Sequence, residues 1–474
     1  MGIPEHIPVE ITQSITIDQA WHYHIVPNAV LDGTLEFFTS KEYGDASKDE
    51  LRMLFGKDVV FHLIGRDELN TLLSRYYRKG KQHTSGGLTI GKHDDYLMNL
   101  IQEAYRIDCS DIHIEAFEER CRVRMRIDGK LIERFVIQKD VYPSLINKIK
   151  IKANLDIAEK RLPQDGRIFY SDEWSNFDIR VSILPALHGE KIVLRLLSKD
   201  STQIDIEKLG FTEEQLKTYR NSIVKPHGII LISGPTGSGK TTTLYATPKI
   251  LNREESNILT IEDPIEYTLE GINQVQLKEE IGLTFASALR TFLRQDPDII
   301  MLGEIRDAET AQMAIRAALT GHLVLSTIHT NSAIGTISRL QDMGIPAYLL
   351  ASTLNLSLAQ RLVRKLCPEC KVEKPLKGLD IPSIDASFVL PATHFEAVGC
   401  NSCYFTGYKG RRAIYEMIEI NEEIRDCMRK NEAESIRSKY SFKSLAQTAF
   451  EMFANGETTI DEIYSLLADV QGSY

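Results

Sequence analysis

Gly234-Pro235-Thr236-Gly237-Ser238-Gly239-Lys240-Thr241 fits G-x-x-x-x-G-K-[ST] in full. The apolar run Ile229–Ile232 before it reads as a buried strand, and Thr242-Thr243-Leu244-Tyr245 after it opens a helix. In that strand-loop-helix setting the glycines let successive N–H groups and a helix N-terminus converge on one anion. Lys240 supplies a point charge for the β/γ-phosphates, and the Thr241 hydroxyl is a ligand for Mg²⁺. The loop, with Thr242 at its exit, is expected to bind a nucleoside triphosphate.

Further candidates for that chemistry sit at the ends of later apolar runs. Asn257–Ile261 ends in Glu262-Asp263-Pro264-Ile265-Glu266, and Asp298–Leu302 ends in Gly303-Glu304-Ile305-Arg306-Asp307. In a parallel α/β sheet, ligands bind off the carboxyl ends of strands, where carboxylates hold Mg²⁺ or the attacking water. Arg290 and Arg294 lie four apart, on one face of a helix leading to the second of these strands. His322 and His329 bracket a third run, Leu323–Thr327, either as ordinary polar residues or as γ-phosphate sensors. Arg180 and Arg195 each stand on a strand upstream of the nucleotide motif, as surface charges or as arginine fingers.

A second constellation is Cys367-Pro368-Glu369-Cys370 followed by Cys400-Asn401-Ser402-Cys403. Two C-x-x-C knuckles in a reduced protein supply four thiolates, a closed tetrahedral set for structural Zn²⁺ with no open position for water. A redox role needs only one such pair. The remaining cysteines, Cys109, Cys121 and Cys427, are scattered.

These motifs have to be carried by several domains, because 474 residues exceed a single core. Residues 1–80 read as a small mixed α/β unit without catalytic signature, and the polar, Gly-rich residues 81–91 read as a linker. In the next unit, 92–203, Tyr96–Tyr105 and Tyr142–Ala153 have helical spacing. Arg120, Arg122, Arg124 and Arg126 alternate with apolar residues before Asp128-Gly129, which marks a hairpin. Its arginine face is either solvated or meets a neighbouring subunit. Arg161–Arg167 reads as a turn-rich segment, and strands follow at Asp178–Ser182 and Lys191–Leu196. Apolar strands alternate with helices across 204–364, which argues for a parallel sheet covered on both faces. A cysteine subdomain spans 365–410, and the tail 411–474 reads as helical, with Gly456–Thr459 starting the last helix.

Composition is that of a soluble globular chain, 43% hydrophobic and 26% charged. The net charge of −10 and the lack of basic-aromatic clusters argue against a stable nucleic-acid partner. No run of about 18 apolar residues occurs, and Met1–Glu5 has no signal-peptide character, so a cytoplasmic protein is expected.

Together the motifs resemble the secretion-superfamily ATPases of type II secretion and type IV pilus assembly, from about residue 92 to 474. The resemblance implies a RecA-like P-loop core preceded by a PAS-like α+β domain and a small N-terminal docking domain. An inserted zinc-knuckle subdomain and a helical C-terminus complete that fold. It implies ATP, Mg²⁺ and Zn²⁺ as ligands, a homohexamer, and attachment to the inner membrane through a platform protein and an anchor protein. Glu262–Glu266 resembles the family's Asp box, Asp296–Asp307 its Walker B segment and Thr320–His329 its His box. By similarity Glu266 is the general base, Glu304 organises Mg²⁺ and water, and His322 and His329 sense the γ-phosphate. Arg180, Arg195, Arg290 and Arg294 match the family's site arginines, and Glu262 and Asp263 its nucleotide-facing carboxylates. The tetracysteine favours the secretion or extension branch over retraction motors. Residues 1–80 contain no R-L-G-x-x-L repeat of the kind that binds cyclic di-GMP in some members. A nucleic-acid-translocating P-loop motor is the alternative reading.

Overall fold

The computed structural model describes residues 7–77, 96–171, 176–197, 205–376 and 388–468, apart from positions 8, 13, 32–33, 42, 119, 431, 433–434 and 441. The segment read as a linker lies outside the described residues. The chain divides into two compact units. One is Met1–Lys199 with Cys367–Lys371 and Ala397–Lys409; the other is Asp200–Leu366 with Val372–Glu396 and Gly410–Tyr474.

The first unit begins with a three-stranded sheet, β1 (Val26–Leu31), β2 (Thr34–Thr39) and β3 (Val59–Leu63). β1 and β2 pair antiparallel, whereas β2 and β3 are parallel, so the chain crosses over through the helix Gly44–Phe55. Phe37, Phe38, Leu51, Leu69 and Leu73 fill the core.

Six antiparallel strands follow: β4 (Asp111–Ala116), β5 (Cys121–Ile127), β6 (Lys130–Ile137), β7 (Gln164–Ser171), β8 (Asn176–Ala186) and β9 (Gly189–Leu197), in the order β6-β5-β4-β9-β8-β7. Asp128 (φ +48°) and Gly129 (φ +86°) make the two-residue turn that the β5–β6 hairpin requires. Cys121, Val123, Met125 and Ile127 face inward, against the helices Tyr96–Arg106 and Tyr142–Lys152. Each such side chain contributes about 1.5–3 kcal/mol of burial. The expected turn segment ends earlier than its composition suggests: β7 starts at Gln164, because Asp165 and Gly166 pair with Ser182 and Val181. Lys150, fully buried against Glu190 (2.6 Å), also donates to the Glu159 carbonyl (2.6 Å) and pins the loop before β7.

The arginines of β5, and Arg120 just before it, are partnered within their own sheet. Arg122 and Arg124 both bond Glu115, at 2.9 and 2.8 Å, and Arg126 reaches Asp111 at 3.3 Å, while Arg120 lies 3.6 Å from Glu133. Burial pushes the Glu115 carboxyl up, but the hydrogen bonds from Arg124, Arg122 and Lys191 outweigh it and hold its pKa at about 2.

The second unit is built on seven strands: β10 (Gly228–Ser233), β11 (Ile258–Glu262), β12 (Asn273–Gln276), β13 (Ile299–Leu302), β14 (Leu323–Ile328), β15 (Leu354–Leu366) and β18 (Tyr408–Glu419). Their order is β12-β11-β13-β14-β10-β15-β18. A two-stranded ribbon, β16 (Lys371–Pro375) and β17 (Thr393–Ala397), stands apart from the sheet. β10 pairs in parallel with β14 and β15, and β13 with β11 and β14. Alternate residues feed two cores, as a sheet covered on both faces demands. Ile229, Leu231, Ile300 and Leu302 pack on one side, and Ile230, Ile232, Met301 and Leu325 on the other.

The tail departs from its helical reading. Tyr408–Glu419 is a strand at the sheet edge, with Ala413, Ile414 and Tyr415 all buried, and helices begin only at Glu422. The last helix, Ile460–Ala468, starts where expected, with the Glu462 N–H donating to Thr459 Oγ1.

Candidate functional site

Because strands β10, β11, β13 and β14 run parallel, the segments after them leave the sheet along one edge. β10 delivers the P-loop there. Gly234 adopts φ +147°, and a Cβ on it would lie 2.6 Å from the Gln360 carbonyl. Gly239 adopts φ +87° at the N-cap of the helix Lys240–Leu251, where a Cβ would meet Gln360 Nε2 at 2.7 Å. Neither position accepts a side chain, so this geometry needs both glycines.

Lys240 Nζ donates to the carbonyls of Gly234 (2.7 Å) and Pro235 (3.0 Å). Burial lowers the pKa of its ammonium, Glu304 opposes that and Arg361 adds to it. Ser238 Oγ is buried and makes no hydrogen bond to the described residues, whereas Thr241 is exposed and Thr242 half-buried. A lysine folded onto its own loop carbonyls, an orphaned hydroxyl and a helix N-terminus suit a phosphate chain. The Thr241 hydroxyl and the Glu304 carboxylate are of the donor type that Mg²⁺ takes.

Of the two carboxylate loops at this edge, the one after β13 carries Glu304. Glu304 Oε1 accepts from Arg306 Nη2 at 2.5 Å, and its Oε2 lies 3.3 Å from His329 Nε2. The same Arg306 nitrogen reaches Asp263 Oδ2 at 3.2 Å, so one guanidinium ties the ends of β11 and β13 together. Arg306 was not among the residues singled out from sequence; it is a surface arginine until the sheet brings Asp263 beside it. Asp307 caps the next helix by accepting from the Thr310 N–H.

Glu262 has a different place from Asp263. Its carboxylate is only 3% exposed and accepts from Thr260 (2.6 Å), Gln274 (3.0 Å) and the Tyr245 hydroxyl. The Tyr245 oxygen in turn accepts the N–H of Glu266 at 3.0 Å. Glu262 is turned into the sheet and anchors the loop that carries Glu266; it does not face the P-loop.

The two histidines are not brought together. His329 follows β14 and touches Glu304, whereas His322 precedes β14 with Nδ1 held by the Ala317 carbonyl (2.9 Å) and Thr320 (3.1 Å). Six strand residues at about 3.3 Å each put roughly 20 Å between the two. Of the two histidines expected to sense the γ-phosphate, His329 is the one that touches Glu304. Arg290 pairs with Glu309, and Arg294 caps its own helix through the Arg290 carbonyl (2.7 Å).

In the first unit, cross-strand register aligns Arg126, Asp111, Arg195, Arg180 and Arg167 in one row over five strands. Directly opposed residues share a face, so four arginines and one carboxylate project together. Asp111 Oδ1 accepts from Arg195 Nε at 2.8 Å.

The four knuckle cysteines form a closed group, with all sulfurs within 4.8 Å of one another. Cys367–Cys400 and Cys370–Cys403 are 3.7 Å apart, and Cys400–Cys403 3.8 Å. Tetrahedral zinc with Zn–S near 2.3 Å places sulfurs about 3.8 Å apart. The N–H groups of Gly399 and Cys400 donate to Cys370 and Cys403 Sγ, which stabilises thiolates. The cysteines fit a structural zinc ion, and Tyr404 beside them packs on the core of the six-stranded sheet.

Comparison with known proteins agrees with this geometry. The family model described as "Type II/IV secretion system protein" matches residues 91–465, and that of the MshEN domain matches residues 4–83. Type II secretion system protein E of Xanthomonas campestris pv. campestris is 41% identical, over 98% of this chain and 86% of its own. The type IV pilus assembly ATPase PilB of Myxococcus xanthus is 47% identical over 77% of this chain and 66% of its own. Among solved structures, the pilus retraction motor PilT with bound ADP is 27% identical, with a TM-score of 0.53 over 78% of this chain and 96% of its own. The Yersinia pseudotuberculosis ATPase DotB shares the fold, at 20% identity and a TM-score of 0.60 over 80% of this chain and 95% of its own. The chain thus belongs to the type II/IV secretion system protein family, the ATPases of type II secretion and type IV pilus assembly.

Proposed function

We propose that the protein is a homohexameric Mg²⁺-ATPase that drives pseudopilus or pilus assembly at the inner membrane. In this reading it is held at the cytoplasmic face by a platform protein and an anchor protein. The observation that carries the reading is the P-loop and Glu304 on one sheet edge, in a chain similar over nearly its whole length to type II secretion system protein E. Lys240 leaves its loop carbonyls to meet the β/γ-phosphates, and the P-loop amides wrap them. Thr241 and Glu304 would hold Mg²⁺, which would supply charge neutralisation for the phosphates. Glu266 accepts a proton from the attacking water, and Arg306 keeps Glu304 and Asp263 in register. Arg290 and Arg294, and Arg180 and Arg195 from the arginine row, are assigned to charge stabilisation of the transferred phosphoryl group.

The test is replacement of Lys240 by Ala on the chromosome of the native cell, with secreted proteins and surface fibres measured together. Loss of exoproteins with fibres intact identifies a type II secretion motor, and loss of fibres with secretion intact identifies a pilus motor. If both persist, the assembly-motor reading is wrong.

A further inference from the structure

We propose that Arg361 is a triphosphate-sensing residue supplied by the same chain, which binds the terminal phosphate of a bound nucleoside triphosphate. Ser233, the last residue of β10, lies opposite Ala359 on β15, so Gln360 and Arg361 flank the start of the P-loop. Side chains alternate along a strand, and these two diverge. Gln360 goes under the P-loop helix and accepts from Thr243 Oγ1 at 2.9 Å. Arg361 crosses over the loop: its Nη1 sits 3.1 Å from where a Cβ on Gly234 would lie. Its Nη2 reaches Asn331 on the far side, at 3.1 Å to the carbonyl and 3.2 Å to Oδ1. The guanidinium therefore spans the mouth of the phosphate loop, close enough to disfavour the charge on Lys240. A phosphate group bound between these two cations would offset their mutual repulsion.

The acceptors on Asn331, and the Gln360 carbonyl that takes Nη1 at 3.0 Å, are neutral, and exchanging the Asn331 pair for a phosphate oxygen gives a charge-assisted bond roughly twice as strong. Asn331 is two residues beyond His329, which touches Glu304. Movement of Arg361 to a γ-phosphate thus releases the loop that orients Glu304, and the diphosphate state restores it.

The experiment uses the full chain with Arg361→Gln and Arg361→Lys, titrated with fluorescent ADP and with a non-hydrolysable ATP analogue, Mg²⁺ present. The expected result for Arg361→Gln is a loss of about 10-fold or more in analogue affinity with ADP affinity changed less than about threefold, the size of one charge-assisted contact. Arg361→Lys, which keeps the charge but not the fork, shows a smaller loss of the same selectivity and decides the matter if the Gln variant does not fold. Equal losses for both nucleotides would mean that Arg361 only props the P-loop, and no loss for either that it touches no phosphate; each overturns the proposal. ADP binding by the unaltered protein checks the P-loop separately.

Discussion

Removing one oxygen atom, in Tyr245→Phe, probes how the sheet holds the loop of Glu266. The Tyr245 ring is 2% exposed, and its hydroxyl is the donor on one side of the buried Glu262 carboxylate and the acceptor for the Glu266 N–H. Phenylalanine fills the same space, so no cavity forms. Glu262 keeps Thr260 and Gln274 on Oε1 but loses its donor on Oε2, and the Glu266 N–H loses its acceptor. A lost hydrogen bond to a charged group is worth about 1.5–3 kcal/mol and an orphaned N–H about 1 kcal/mol or more, together about 3 kcal/mol. At 2–4 °C per kcal/mol for a unit of this size, Tm falls by roughly 6–12 °C. Thermal unfolding and steady-state phosphate release on the same preparation measure both consequences. The expected outcome is the lower Tm, with kcat reduced about tenfold or more and ADP affinity unchanged, since the P-loop is untouched. A Tm within about 2 °C of the unaltered protein, with normal kcat, would refute the view that this hydroxyl anchors the loop.

The other expectations concern the metal and acid stability. Purified protein carries one equivalent of zinc by elemental analysis, and Cys400→Ser loses the metal and lowers the Tm; a metal-free protein of equal stability would exclude the zinc assignment. Glu115 has its folded pKa lowered from 4.5 to about 2, so its contribution to stability is complete above about pH 4.5 and is lost as pH falls toward 2. Glu115→Gln is expected to be less stable at pH 7 and to show a flatter Tm profile between those pH values, as followed by circular dichroism; parallel profiles would count against the Arg122–Glu115–Arg124 cluster.

Where local chemistry alone dictates structure, the sequence was informative. Gly234 to Thr241 between an apolar run and a helix, Asp128-Gly129 between alternating strands, and two C-x-x-C pairs each form what their spacing implies. The distance between His322 and His329 was also present in the spacing, since a strand of that length must separate its ends. Other features depend on partners far along the chain. Tyr408–Glu419 becomes a strand because it completes the order β10-β15-β18. Glu262 turns inward because Thr260, Gln274 and Tyr245 receive it. Arg306 and Arg361 acquire their places only when parallel strands bring Asp263 beside one and Asn331 beside the other. A strand end identified from sequence locates a residue on the active edge, but its neighbours decide which way the side chain points.

The most direct test of ATP hydrolysis at this edge is Glu304→Gln in the purified full chain, with bound nucleotide and released phosphate measured together. The amide keeps the shape of the carboxylate but loses its charge, so the expected result is ATP held at normal affinity with phosphate release reduced to background. Normal phosphate release by this variant would contradict the assignment of Glu304, and with it the hydrolytic site described above.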